Sequence, residues 1–178
     1  MYQITSERLL LRPMELDDAP VLFGFWSDPI VTKHMNASFT DVSQAQQMIE
    51  MLQGLFAENK AIRWTILLKH SNEIIGSCGF NYLDYENERA EIGYDLGFPY
   101  WGKGYGPEAI RTLIRFGFES LRLNRVEAKV EPENLNSIKV LRKLRFVEEG
   151  KLRQYEKSKE QFVDLIMFST LRTEWTEE

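Results

Sequence analysis

Trp101-Gly102-Lys103-Gly104-Tyr105-Gly106, followed at once by Pro107-Glu108-Ala109-Ile110, is the stretch on which the reading of this chain turns. Three glycines at alternate positions open a segment in which Ala109, Ile110, Leu113, Ile114, Phe118 and Leu121 recur at helical spacing. Glycine admits positive φ and lets a ligand come close to the main chain. A helix N-terminus adds unpaired N–H groups and the positive end of a dipole. A glycine turn feeding a helix start is therefore a cradle for phosphate. The stretch predicts binding of a small molecule that carries a pyrophosphate.

Outward from this loop, the hydrophobic pattern predicts a mixed domain. Residues 8–14 read as a first strand ended by Pro13, and Glu15 to Ser27 as a helix broken by Asp28-Pro29. A second helix is expected from Asp41 or Ser43 to Phe56, with an oxygen-bearing cap in front. Three strand-like runs follow at residues 63–68, 74–80 and 90–96, spaced for an antiparallel meander. Beyond the glycine helix come a strand at 126–130, a stop at Pro132-Glu133-Asn134, and a helix from Ser137 to Leu144. Closing strands are expected near Phe146–Leu152 and Gln161–Leu171. The predicted order, β-α-α-β-β-β-α-β-α-β-β, is a single mixed α/β domain over residues 1–178, not a doubly wound parallel sheet.

Composition narrows the function. The chain has 178 residues, 43% apolar and 28% charged, enough for one real core. Its net charge of −5 argues against a non-specific nucleic-acid binder. Cys78 is the one cysteine, so no internal disulfide forms, and a reducing compartment fits. No run approaches the roughly 18 to 20 apolar residues of a membrane span, and Met1 to Arg8 has no apolar signal core. The expectation is a cytoplasmic protein with no membrane and no direct nucleic-acid partner. Isolated His34 and His70 and the lone cysteine offer no zinc cluster, so no metal is expected.

Three ligand classes compete for the loop. Gly97 to Gly104 matches a nucleotide-triphosphate loop until its last place, where Gly104 replaces the magnesium-holding Ser or Thr. A dinucleotide loop would need glycine where Pro107 stands. The third class is coenzyme A. Tyr100-Trp101-Gly102-Lys103-Gly104-Tyr105-Gly106-Pro107-Glu108-Ala109 resembles the pyrophosphate loop of the GNAT acetyltransferases, most closely the ribosomal-protein N-acetyltransferase (RimJ/RimL-like) branch. Thr5 to Arg12 resembles that branch's first strand and Ala90 to Tyr94 its central strand. Asn134-Leu135-Asn136-Ser137, with Lys143 to Phe146 and Glu149-Gly150, resembles its second signature. One departure is visible: Arg145 stands where the branch has the glycine of a left-handed helix cap.

The resemblance implies an N-acetyltransferase that moves acetyl from acetyl-CoA directly to a primary amine in a ternary complex. The amine could sit on a ribosomal or other protein N-terminus, or on a small molecule; the branch also allows a homodimer. It implies a sheet whose central strand splays from its neighbour, exposing an edge at Tyr94–Phe98 on which pantetheine pairs, with Leu96 foremost and Gly97 and Phe98 beside it. Gly102, Lys103, Gly104, Tyr105 and Gly106 would hold the pyrophosphate, and Asn134 would contact pantetheine or order its loop. Ser137 would serve the leaving thiolate, although on spacing alone it reads as a helix N-cap. Glu91 is the candidate base, against a salt bridge to Arg89 or Arg63, with Asp84, Glu86 and Asp164 as rivals. Strand alternation sets Glu91 on the face opposite Tyr94 and Leu96. Cys78 reads as core rather than nucleophile. A non-catalytic acyl-CoA sensor would keep the cradle without turnover.

Overall fold

The computed structural model describes residues 3–176. In chain order its elements are β1 (Ile4–Thr5), β2 (Leu9–Pro13), α1 (Ala19–Trp26), α2 (Val42–Ala57), β3 (Ile62–Leu68), β4 (Ile74–Asp84), β5 (Arg89–Leu96), α3 (Tyr105–Glu119), β6 (Arg125–Val130), α4 (Leu135–Lys143), β7 (Val147–Ser158) and β8 (Gln161–Leu171). The strands form one sheet in the order β1-β2-β3-β4-β5-β6-β8-β7. The expected α/β order is met with one addition: β1 folds back on β2, pairing Ile4 with Leu11.

Three local differences from the sequence reading have physical causes. Glu15 to Ser27 is not one helix: a 3-10 turn at Leu16–Asp18 precedes α1, which begins where Pro20 can occupy the first turn without forfeiting a hydrogen bond. The fourth helix starts at Leu135 rather than Ser137, because the Asn134 side chain caps it by accepting from Ser137 N at 3.2 Å. Its far end keeps the left-handed residue with no glycine: Arg145 itself adopts φ +62°. By contrast, α2 begins as expected, with the Asp41 carboxylate accepting from Ser43 N and Gln44 completing a capping box.

Each sheet face carries its own helices. Gly106 of α3 approaches the side chains of Tyr94 and Leu96, whereas Trp26 of α1 hydrogen-bonds Asp95. Since side chains alternate along β5, α3 covers one face and α1 the other. The α3 stripe of Ala109, Ile110, Leu113 and Ile114 is fully buried with Trp64, Ile66, Phe80 and Phe168. A smaller cluster of Met14, Leu22, Trp26, Ala45 and Ile49 lies under α1 and α2. Each such aliphatic side chain contributes roughly 1.5–3 kcal/mol by leaving water.

What positions the site is the middle of the sheet. Among the described residues β5 and β6 are its one parallel pair, joined by α3 as crossover. Their pairing covers only Arg89–Glu91 with Arg125–Glu127. Past that point β6 stays with β8 as far as Val130, and β5 stays with β4 as far as Leu96. The central strand therefore splays, as the resemblance implies. Gly97 N donates to Ile75 O at 2.9 Å. Opposed residues of an antiparallel pair alternate between bonded and unbonded, so the main-chain groups of Ile92, Tyr94 and Leu96 turn away from β4 and into the gap.

Candidate active site

The glycine loop opens α3 as its sequence demands. Gly102 and Gly104 adopt φ of +73° and +83°, and Gly104 is the N-cap of the helix, with no side-chain cap bond. A Cβ on Gly102 would meet nothing within 4 Å, so that glycine is required by backbone conformation alone. Gly106 lies inside the helix with ordinary room around it, its imagined Cβ 3.6 Å from the Tyr94 ring. The N–H groups at the start of α3 have no partner within the helix, and Pro107 has none to offer. The amides at 104–106 at a dipole's positive end fit a diphosphate.

A clasp from the β1–β2 turn fixes this loop. Arg8 donates from Nη1 to Lys103 O at 3.0 Å and from Nε to Glu108 Oε2 at 2.7 Å, and its guanidinium lies 4.5 Å from the Tyr105 ring centre. Glu108 also accepts from Ser6 Oγ at 2.6 Å and from Arg8 N at 2.8 Å. Burial raises the Glu108 carboxyl, but these hydrogen bonds and the Arg8 charge outweigh it and hold it below its ordinary value. Lys103 sets its ammonium 5.8 Å from the Tyr100 ring centre. Trp101 donates from Nε1 to Leu96 O at 2.8 Å, tying the loop to the β5 edge. Phe98 is half exposed and edges against Trp101, while a Cβ on Gly97 would strike the Phe25 ring at 2.4 Å.

A cleft of about 430 Å³ runs through the gap between β5 and β6. On the α3 side it meets Tyr94, Asn134 and Ser137. Tyr94 Oη and Ser137 Oγ lie 3.1 Å apart, and burial pushes the Tyr94 phenol up, partly offset by that contact, so it stays protonated. Because Asn134 supplies the cap, the N-cap role read for Ser137 is corrected: its hydroxyl is engaged with Tyr94 instead. Asn134 orders the start of α4.

The α1 side of the cleft is built from charged side chains. Asp95 accepts from Trp26 Nε1 at 3.0 Å, Ser77 Oγ at 2.5 Å and Arg63 Nη2 at 2.6 Å. Arg63 also donates to Asn81, which the bulge between Phe80 and Tyr82 leaves out of register; nearby Gly93 has no Cβ to strike its side chain. Trp26, Met35, Phe39, Met48 and Leu52 form an apolar wall. His34 Nδ1 lies 2.8 Å from Glu131 Oε2.

Glu91 reaches this cleft, on the face opposite Tyr94 as alternation requires, and both residues line one space because the gap passes through the sheet. Its carboxylate accepts from Lys129 Nζ at 2.6 Å, not from Arg89 or Arg63. Burial lowers the Lys129 ammonium, but Glu91 and Tyr155 raise it above the ordinary lysine value, so Lys129 remains a cation. Of the rivals, Asp84 pairs with Arg89 and Asp164 with Lys151, at 3.0 and 2.6 Å, and neither borders the cleft, nor does Glu86. Cys78 is fully buried, and burial pushes its thiol up, as suits a core residue. The sequence reading missed Arg63, Asp95, Asn81, His34 and Glu131. Each pairs with a residue far along the chain, and no local spacing marks such pairs.

No helix among the described residues is long and apolar enough to cross a membrane, and none of their His, Cys, Asp and Glu side chains gather as a metal site. The acetyltransferase (GNAT) domain family matches residues 8–147. Over 176 residues, 98% of this chain and 99% of the relative, the sequence is 57% identical to the uncharacterized N-acetyltransferase p20 of Bacillus licheniformis. An acetyltransferase (GNAT family) from Bacillus anthracis superposes with a TM-score of 0.87 at 25% identity, covering 97% of this chain and 100% of that one. The microcin C7 self immunity acetyltransferase MccE, solved in complex with acetyl-CoA and AMP, gives 0.85 at 26% identity over 93% of each chain. A glycine loop at a helix start, a splayed central strand and this family match lead to one conclusion: the chain is an acetyltransferase and belongs to the GNAT family.

Proposed function

We propose that this chain transfers acetyl from acetyl-CoA directly to a primary amine, with both molecules bound at once. The observation that carries this reading is the cleft through the sheet, which joins the loop side at Ser137 to the charged face at Glu91 and Glu131. When bound, acetyl-CoA supplies an activated thioester carbonyl. The amides from Gly102 to Gly106 hold its diphosphate, with Lys103 adding charge and the Gly97–Phe98 turn flanking them. The open edge at Tyr94 and Leu96 pairs with the pantetheine amides as an added strand would, and Asn134 orders the wall beside it. A main-chain N–H on that edge stabilises charge developing on the carbonyl oxygen, and one such donor is worth about 2.7–4 kcal/mol. Ser137, hydrogen-bonded to the protonated Tyr94, delivers a proton to the leaving sulfur. Glu91, beside Lys129, adds negative potential to the acceptor side.

The acceptor is a cationic amine that enters from the α1 side, where Glu91, Glu131 and Glu156 line the cleft. A protein N-terminus, as the ribosomal-protein branch implies, and a small amine both satisfy this chemistry. Thiol release from acetyl-CoA, measured across peptide N-termini, polyamines and amino acids, tests the proposal. Amine-dependent release supports it, whereas coenzyme binding without release across the panel makes the chain an acyl-CoA sensor.

A further inference from the structure

We infer that His34, held by Glu131, is the base that takes the proton from the acceptor ammonium. This rests on the amine-acetylating reading above. His34 and Glu131 line the cleft on the α1 side, across the sheet from Ser137, with side chains only 19% and 16% exposed. The Nδ1–Oε2 distance of 2.8 Å is that of a strong hydrogen bond. With Nδ1–H donating to the carboxylate, Nε2 is the basic nitrogen of the neutral ring.

The backbone under the imidazole is fixed. His34 ends a 3-10 turn, Val31–His34, in which Thr32 is buried and bonds twice to Asp28 O. Lys159, from the β7–β8 turn, donates to Thr32 O at 2.7 Å. A base needs such fixed geometry before its proton affinity matters.

The other acidic groups of the cleft already accept from named donors. Glu91 takes Lys129, Asp95 takes three donors, and Glu156 accepts from Asn36 Nδ2 at 2.8 Å. The charged groups that line the cleft or the turn with His34 are Glu131 after β6, Lys33 on its own turn, Lys159, Glu156 on β7, the Glu91–Lys129 pair from β5 and β6, and the Arg63–Asp95 pair from β3 and β5.

The step balances. His34 Nε2 takes one proton from the ammonium and returns it to solvent after turnover. The freed nitrogen forms a bond to the carbonyl carbon as the carbon–sulfur bond breaks. The nitrogen's second surplus proton ends on the sulfur by way of Tyr94 and Ser137, leaving an amide and a free thiol.

The test measures kcat against pH at saturating acceptor, with acetyl-CoA affinity measured separately by calorimetry. His34→Gln should lower kcat by about 10²-fold or more, the scale of general-base catalysis, with acetyl-CoA affinity and thermal midpoint unchanged. Glu131→Gln should lower kcat with acetyl-CoA affinity unchanged, and Glu131→Asp should restore part of it, which a merely structural pair would not do. That rescue also serves as the test should His34→Gln fail to fold. A Glu131→Gln or His34→Gln enzyme with wild-type kcat, or loss of the acid limb of kcat in Glu91→Gln, would each overturn the assignment. No thiol release by the wild-type chain with any amine would overturn the acetylation reading and the base with it. Normal wild-type turnover beside an unimpaired His34→Gln would remove the base alone.

Discussion

The two sides of the cleft are made of different material. On the α3 side the groups proposed to hold the coenzyme are main chain, the amides at the start of α3 and the open edge of β5 at Tyr94 and Leu96, with the Tyr94 and Ser137 hydroxyls beside them. Side chains there, Arg8 and Trp101, serve mainly to hold backbone in place. On the α1 side the working groups are side chains brought together across the sheet, Arg63 with Asp95, His34 with Glu131 and Lys129 with Glu91. A coenzyme shared by many enzymes can be met by a backbone shape, whereas an acceptor particular to one enzyme must be met by side chains that can vary.

The difference can be broken most sharply on the side-chain face. Asp95→Ala would leave the Arg63 guanidinium, the Trp26 indole and the Ser77 hydroxyl without their common acceptor in a buried setting. Loss of one partner from such a pair costs about 3–5 kcal/mol, to be read in denaturant unfolding; a loss under about 1 kcal/mol, the scale of an exposed pair, would mean that this face is held otherwise. On the backbone side, Gly104→Asp puts a carboxylate at the helix N-cap, where a phosphate would sit. It should weaken acetyl-CoA binding about 100-fold, or roughly 2.7 kcal/mol, by calorimetry, at a folding cost of about 1–2 kcal/mol because a side chain at φ +83° is strained.

In the proposed mechanism Ser137 and Asn134 separate chemistry from scaffolding three residues apart. Ser137→Ala should lower kcat about tenfold or more while acetyl-CoA affinity and stability stay near wild type, since the hydroxyl is not the cap. Asn134→Ala should do the reverse first, costing about 1 kcal/mol of stability through the lost cap; equal stability losses in the two variants would undo the distinction. The smallest effect concerns acid. Burial raises the Asp18 carboxyl, but hydrogen bonds from Arg12, Glu15 N and Thr65 outweigh it and hold it below its ordinary value. A depressed carboxylate stabilises the fold above its unfolded value and loses that contribution as pH falls below about 4. Stability of Asp18→Asn, followed by denaturant titration, should fall less steeply below that pH than the wild type's; identical slopes would exclude Asp18 from the acid response.

Legibility followed the same division. The glycine loop, the α3 stripe and the meander could be read because backbone conformation and burial leave periodic or local marks. Cap geometry was partly misread: two oxygen-bearing residues, Asn134 and Ser137, stood close enough for either to cap, and only three-dimensional structure separates them. Arg145 shows that an exposed residue can take φ +62° where sequence logic asks for glycine, with Phe146 N closing the helix end on Leu141 O at 3.0 Å. Glu91 was found as a cleft residue, but its partner was not, because Lys129 lies on a strand whose register with β5 ends at Glu127. His34 and Glu131, 97 positions apart, had nothing local to announce them.

Arg8 gives the clasp on the phosphate loop a further meaning. Its contacts with Lys103, Glu108 and Tyr105 join the outermost part of the amino-terminal sheet edge to the turn before α3. A turn already immobilised surrenders little conformational entropy when an anion settles into it, so more of the attraction survives as affinity. Displacing the β1–β2 turn would thus loosen the proposed grip on the coenzyme without altering any residue of the glycine loop itself.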